Sequence, residues 1–126
     1  MASIRLEEVV VRKGEVAVLE GVDLSVADGE MLVVLGPSGA GKSTLLRAVA
    51  GLDALSSGSV WIGENDVTNV PTHERGLAMV FQDNALFPFM SVRRNISFPL
   101  QISKTPRPEI DRRVDAEARV LASEHL

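Results

Sequence analysis

The chain has 126 residues, a formal net charge of −4, a pI near 5.1 and 45% hydrophobic residues. That length suits one domain with a moderate core, and the ordinary apolar fraction argues against disorder. The acidic balance argues against nucleic acid as a partner, no apolar run approaches the ~18 residues of a membrane span, and the absence of cysteine excludes disulfides and thiolate metal sites.

The first residues, Met1 to Glu8, carry Arg5, Glu7 and Glu8 and show no signal-peptide core. Residues 3–27 predict three strands. The first holds Ile4, Leu6 and Val9 to Val11; the second, Val16 to Leu19, follows a Lys13-Gly14-Glu15 turn. In the third, Val22, Leu24 and Val26 alternate with polar neighbours, the pattern of a half-buried antiparallel strand. Asp28-Gly29 then turns the chain into Met31 to Leu35, a short apolar run that reads as a buried strand.

Next comes Gly36-Pro37-Ser38-Gly39-Ala40-Gly41-Lys42-Ser43-Thr44, which fits the spacing G-x-x-x-x-G-K-[ST]. Leu45, Leu46, Val49 and Leu52 recur beyond it at helical spacing, with Gly51 near the helix end. Strand, glycine loop and helix together give this pattern a mechanism. Glycines let the backbone curl so that several N–H groups face one anion, and the positive end of the helix dipole adds to the attraction. In such a loop Lys42 reaches the β- and γ-phosphates and the Ser43 hydroxyl binds Mg²⁺. The pattern therefore predicts a nucleoside triphosphate site.

Leu55 to Gly58 reads as a turn and Val60-Trp61-Ile62 as a short strand, with Trp61 in a packing role. Residues 63–76 are polar and turn-rich, and both His73, within them, and His125 near the last residue read as surface groups. Leu77 to Phe81 predicts a second buried strand with Gln82 at its C-terminal end, where open α/β sheets place ligand chemistry. Ser91 can cap a helix through Leu100 that carries Val92, Ile96 and Leu100 on one face. After Pro106 and Pro108, Ile110, Val114, Ala118 and Leu121 mark one face of a final helix, opposite a solvated face of Arg112, Arg113, Asp115 and Glu117.

The phosphate loop, together with Pro71-Thr72-His73-Glu74-Arg75-Gly76-Leu77-Ala78-Met79-Val80-Phe81-Gln82, resembles the ATP-binding subunit of an ABC transporter. The importer type for sugars, polyamines or inorganic anions is the nearer match, through Met79 to Gln82, Ala85 to Pro88 and Ser91-Val92. The resemblance implies an α/β fold: a P-loop NTPase core with an N-terminal antiparallel β subdomain and the start of a helical subdomain, an incomplete domain. Its divisions would be 1–29, mainly antiparallel strands; 30–85, the P-loop to Q-loop core; and 86–126, the start of the helical subdomain. It further implies ATP and Mg²⁺ as cofactors, with Gln82 as the Q-loop glutamine that contacts Mg²⁺ or the attacking water. The apolar stretch from Leu86 to Asn95 resembles the surface that receives a transmembrane permease subunit, at the cytoplasmic face of the cell membrane. A second ATP-binding subunit completes such a transporter.

Two departures bear on mechanism. Similar proteins carry an aromatic near the residue before Gly14, which stacks on adenine; here Arg12-Lys13 stand there and the chain has no tyrosine. A guanidinium from Arg12 could take over the stack, and a lost aromatic stack costs about 1–3 kcal/mol. Family members also run well beyond two hundred residues, through a Leu-Ser-Gly-Gly-Gln signature, an apolar strand ending in Asp-Glu and a switch histidine. None of these occurs here: Leu55-Ser56-Ser57-Gly58 sits where the family has a turn, and Asp83 follows Gln82 rather than a carboxylate strand. The expectation is nucleotide binding without useful turnover by this polypeptide alone, with unpaired sheet edges. The alternatives are a naturally short nucleotide-binding module that docks on a membrane subunit without hydrolysis, and an unrelated P-loop kinase or GTPase. A GTPase would need an N-K-x-D base-reading motif, which is absent, and a kinase would need a second substrate pocket, which the sequence does not place.

Overall fold

A computed structural model describes residues 2–83 and 85–121. The chain divides into two units, Met1–Met79 and Val80–Leu126. The first unit carries strands β1 (Ile4–Lys13), β2 (Val16–Val26), β3 (Ser57–Ile62) and β4 (Asn65–Asp66), helix α1 (Lys42–Ala50), and a 3₁₀ turn at Thr72–Glu74. Its strands form one antiparallel sheet in the order β2-β1-β3-β4. Gly14, at φ 64°, supplies the left-handed position that a two-residue hairpin loop demands between Lys13 and Val16.

The core side of β1 is set by a bulge. Leu6, Val9 and Val11 are all buried, a spacing of three and then two, because the ladder slips between Leu6 and Val9. Glu8 takes φ 47° there, and its N–H donates to Asp23 Oδ1 at 2.8 Å. These residues join Leu19, Val60, Val67 and Ala48 of α1 in one apolar cluster, so the helix lies on the sheet through its buried face.

Two expectations need correction. The predicted second and third strands are one eleven-residue strand, β2. Glu20-Gly21 is a bulge within it, with Gly21 at φ 75°, and the register moves from Val9↔Val22 to Val10↔Glu20 without reversing direction. The predicted buried strands at Met31–Leu35 and Leu77–Phe81 enter no ladder, and Val80 is 96% exposed. Runs apolar on both faces need a neighbour along each edge and a layer on each side, and no strand among the described residues pairs with them.

The second unit is a helix pair, α2 (Val92–Ile102) and α3 (Arg107–Val120). Ser91 caps α2 as its sequence predicts, with its hydroxyl accepting from the Arg94 N–H at 3.3 Å. Ile110, Val114 and Ala118 form the buried stripe of α3, whereas Leu121, expected on that face, ends the helix in the exposed C-cap position. Across the pair Arg93 holds Asp115 and approaches Asp111. Along α3, Glu109 accepts from Arg112 and Arg113, which holds its carboxyl down at about 2.

Candidate functional site

The loop before α1 has the geometry of an anion cradle. Residues 36–40 are exposed, and Gly39 and Gly41 sit at φ 83° and 94°, in the left-handed region that glycine enters without strain. Gly41 is the N-cap of α1 and packs against β2: a Cβ there would lie 3.1 Å from Val18 O and 3.2 Å from Leu19 Cδ2. The loop therefore ends pressed on the sheet, with the first N–H groups of α1 presented at its mouth. Lys42 folds back across it, donating from Nζ to Gly36 O and Pro37 O at 2.6 Å each. Its ammonium thus hangs over the ring of backbone that a phosphate would enter. Ser43 is exposed, whereas Thr44 is buried.

Magnesium ordinarily keeps several waters and uses one or two protein oxygens together with phosphate oxygens. An exposed Ser43 hydroxyl beside a phosphate cradle fits that donor set. Among the described residues no carboxylate and imidazole group could hold an ion by itself, so a metal here would depend on nucleotide phosphates.

The far end of α1 is fastened by a residue that sequence reasoning missed. Arg75 is 8% exposed and donates to Val70 O, Val49 O, Thr68 O and Ala48 O at 2.8, 2.9, 3.2 and 3.3 Å. Burial lowers its pKa from the ordinary guanidinium value, yet arginine keeps its charge in proteins. Asp53 accepts from Arg47 Nε and Nη2 at 3.2 Å and lies 3.6 Å from Lys13 Nζ. The Arg47 hydrogen bonds, with help from Lys13, hold the Asp53 carboxyl below its usual range. Arg12, the candidate for stacking on a base, donates instead to Glu15 O at 2.9 Å, within its own hairpin turn.

The structure therefore gathers Gly36 through Thr44 into one loop and helix start. Gln82 lies in the second unit, exposed, directly after the 77–81 run. His73 is exposed, beside Glu74.

Within the second unit the Asn95 side chain ties the apolar stretch before α2 to the helix. Asn95 Oδ1 accepts from Phe87 N–H at 2.8 Å, while Nδ2 lies 3.0–3.2 Å from the carbonyls of Ser91, Met90 and Phe87. Phe87 stacks at a tilt on Phe98, with ring centroids 4.8 Å apart. Phe89 is left 97% exposed, and a groove of about 450 Å³ runs among Leu86, Phe87, Met90, Val92 and Ile96.

Residues 19–125 match the ABC transporter family. The chain belongs to that family. Among curated ABC relatives, the sn-glycerol-3-phosphate import ATP-binding protein UgpC of Brucella abortus (strain 2308) is 51% identical over 113 residues, 90% of this chain and 32% of its own length. The maltose/maltodextrin import ATP-binding protein MalK of Vibrio cholerae is 45% identical over all 126 residues, 34% of its own length. The chain thus spans about a third of the length of the curated relatives it matches. An ATP-binding cassette solved as a dimer in a post-hydrolysis state with ADP and Pi superposes with a TM-score of 0.76 at 27% identity, over 88% of this chain and 53% of that one. A bacterial Atm1-family ABC exporter with ATP bound gives 0.69 at 30% identity, over 77% of this chain and 18% of that one. The fold is that of a P-loop NTPase, with its N-terminal antiparallel sheet and the helices of the second subdomain. No described helix is long and apolar enough to cross a membrane.

Proposed function

We propose that this chain binds Mg²⁺-ATP through Gly36 to Thr44, as the nucleotide-binding part of an ABC importer ATPase. The observation that carries the reading is the loop itself. Left-handed glycines at 39 and 41, a helix N-terminus and the Lys42 ammonium on the loop carbonyls come together in one short segment, the combination that favours an anion. On nucleotide entry Lys42 exchanges two carbonyl acceptors for phosphate oxygens, and the loop amides take the rest of the phosphate charge. Ser43 and Gln82 are the residues that would hold Mg²⁺, whose role is to neutralise charge on the phosphates. Both solved relatives were captured with adenine nucleotides, which agrees with this choice of ligand.

Hydrolysis also needs a group that orients the attacking water, and this chain has neither a Leu-Ser-Gly-Gly-Gln stretch nor an apolar strand ending in Asp-Glu. The polypeptide alone therefore binds ATP without steady turnover. The exposed Leu86–Asn95 surface, with its apolar groove, is the docking face for a transmembrane permease subunit at the cytoplasmic side of the cell membrane. In the assembled transporter a second ATP-binding subunit would face the nucleotide.

The test is titration with a fluorescent methylanthraniloyl-ATP in Mg²⁺, alongside a phosphate-release assay. Saturable binding, weakened at least tenfold in Lys42→Ala, and no steady phosphate release are the expected results. Equal affinity in Lys42→Ala would refute the site; steady release abolished by that change would refute the absence of turnover.

A further inference from the structure

We propose that Arg75 is a positioning residue for the phosphate loop: by clamping the C-terminal end of α1 it holds the N-terminal end, where the nucleotide binds, in its receptive form. The inference rests on the nucleotide reading above.

A buried guanidinium surrounded by carbonyls alone is costly unless those carbonyls need a donor. Here one of them does. Ala48 and Val49 lie in the last turn of α1, where the final four carbonyls have no partner within the helix. Backbone N–H groups of Gly51, Leu52 and Asp53 return only to Ala48 and Arg47. Val49 O is taken by Arg75 at 2.9 Å. The cation also faces the negative end of the helix dipole.

Its other two acceptors, Thr68 O and Val70 O, belong to a bend that is itself tied to the sheet. Val67 N–H donates to Val60 O at 2.9 Å, and Val60 N–H to Thr68 Oγ1 at 3.0 Å. One side chain thus joins β3 to the end of the phosphate-loop helix. Room for it depends on Gly51, where a Cβ would lie 2.6 Å from Arg75 Cζ at a φ of 79°.

The reach from one end of α1 to the other follows from helix cooperativity. The helix has nine residues, about 13 Å at ~1.5 Å per residue. Isolated helices shorter than about 12–15 residues are marginal in water. Fastening the last turn therefore raises the helical population of the first, including the Leu45 N–H to Gly41 O bond of 2.9 Å that closes the loop.

The experiment uses the 126-residue chain and two readings: methylanthraniloyl-ATP affinity in Mg²⁺, and hydrogen exchange of the Leu45 amide without nucleotide. Variants are Arg75→Ala, Arg75→Lys and Gly51→Ala. Val9→Ala serves as a control that lowers stability from within β1. All are compared under conditions where each is more than nine-tenths folded. Arg75→Ala and Gly51→Ala are expected to weaken binding about tenfold and speed Leu45 exchange about tenfold. Arg75→Lys, which keeps the charge but not the fork, should lose about threefold, and Val9→Ala should stay within twofold on both readings. Wild-type affinity and exchange in folded Arg75→Ala or Gly51→Ala would overturn the proposal, as would equal losses in Val9→Ala. If Arg75→Ala does not fold, Arg75→Lys and Gly51→Ala decide. If the unmodified chain binds no nucleotide, the functional reading fails, and Leu45 exchange alone judges the clamp.

Discussion

Replacing Asn95 by alanine should release the apolar loop that precedes α2. One side chain makes four polar contacts to it: Oδ1 takes the Phe87 N–H, and Nδ2 faces three carbonyls. An amide nitrogen has only two hydrogens, so at most two of those three contacts are full bonds at any instant, and three bonds in total are lost. At a net value of about 1 kcal/mol each, the ceiling is about 3 kcal/mol. Most of the freed groups are exposed and regain water, which halves the loss to about 1.5 kcal/mol. The tilted Phe87–Phe98 pair survives the change and keeps part of the loop in place. About 1.5 kcal/mol corresponds to a tenfold larger open population, which amide exchange at Phe87 reads directly. Asn95→Asp separates the two halves of the tie, since it keeps the acceptor for Phe87 N–H and loses the donors. Phe87 exchange should rise about tenfold in Asn95→Ala and much less in Asn95→Asp. An exchange rate in Asn95→Ala within twofold of the unmodified chain would show that the amide does not hold the loop.

Gly58→Ala should be the most damaging single methyl in the sheet. Its Cβ would fall 2.4 Å from Glu8 O at a φ of 85°, a backbone clash added to left-handed strain. The loss should exceed about 2 kcal/mol, read as a fall in the urea midpoint; an unchanged midpoint would mean that the β1 bulge can move aside. Glu109 gives a pH dependence with a definite sign. Its carboxyl is held at about 2 by Arg112 and Arg113 against an unfolded value near 4.5, so the stabilisation is complete above about 4.5 and is lost as pH falls toward 2. Helicity of the unmodified chain should therefore exceed that of Glu109→Gln at pH 6, and the two should converge near pH 2. A gap that stays constant over that range would contradict the assignment.

Much of the fold was legible because local chemistry settles it. Ser91 announces one helix start, and Gly41 with Lys42 announces another. The Ile110, Val114, Ala118 stripe needs only its own spacing. Where reading failed, the deciding partner was remote. Glu20-Gly21 looks like a turn in one dimension, and only the continuous pairing of β2 with β1 makes it a bulge. Met31–Leu35 and Leu77–Phe81 have the composition of central strands, but composition sets a demand for neighbours and cannot create them. Arg75 sits in a polar, turn-rich stretch where a cation normally faces water. Its burial depends on Ala48, 27 residues away, and no local pattern carries that information. The shape of the glycine loop was readable because it is set by glycine positions in the sequence itself, with Gly39 and Gly41 both at positive φ.

Trp61 is the chain's only tryptophan, and there is no tyrosine. It lies on β3 with its Nε1–H donating to Ser59 Oγ at 3.0 Å and the Arg5 guanidinium 4.9 Å from its ring centroid. Emission excited at ~295 nm, where phenylalanine does not absorb, is therefore a report on the antiparallel sheet alone. Ellipticity near 222 nm weighs the opposite way, since α2 and α3 contribute eleven and fourteen helical residues against nine in α1. A thermal scan followed in both channels watches the two units separately with no label attached. Coincident curves would identify one cooperative body, and separated curves two that melt on their own terms.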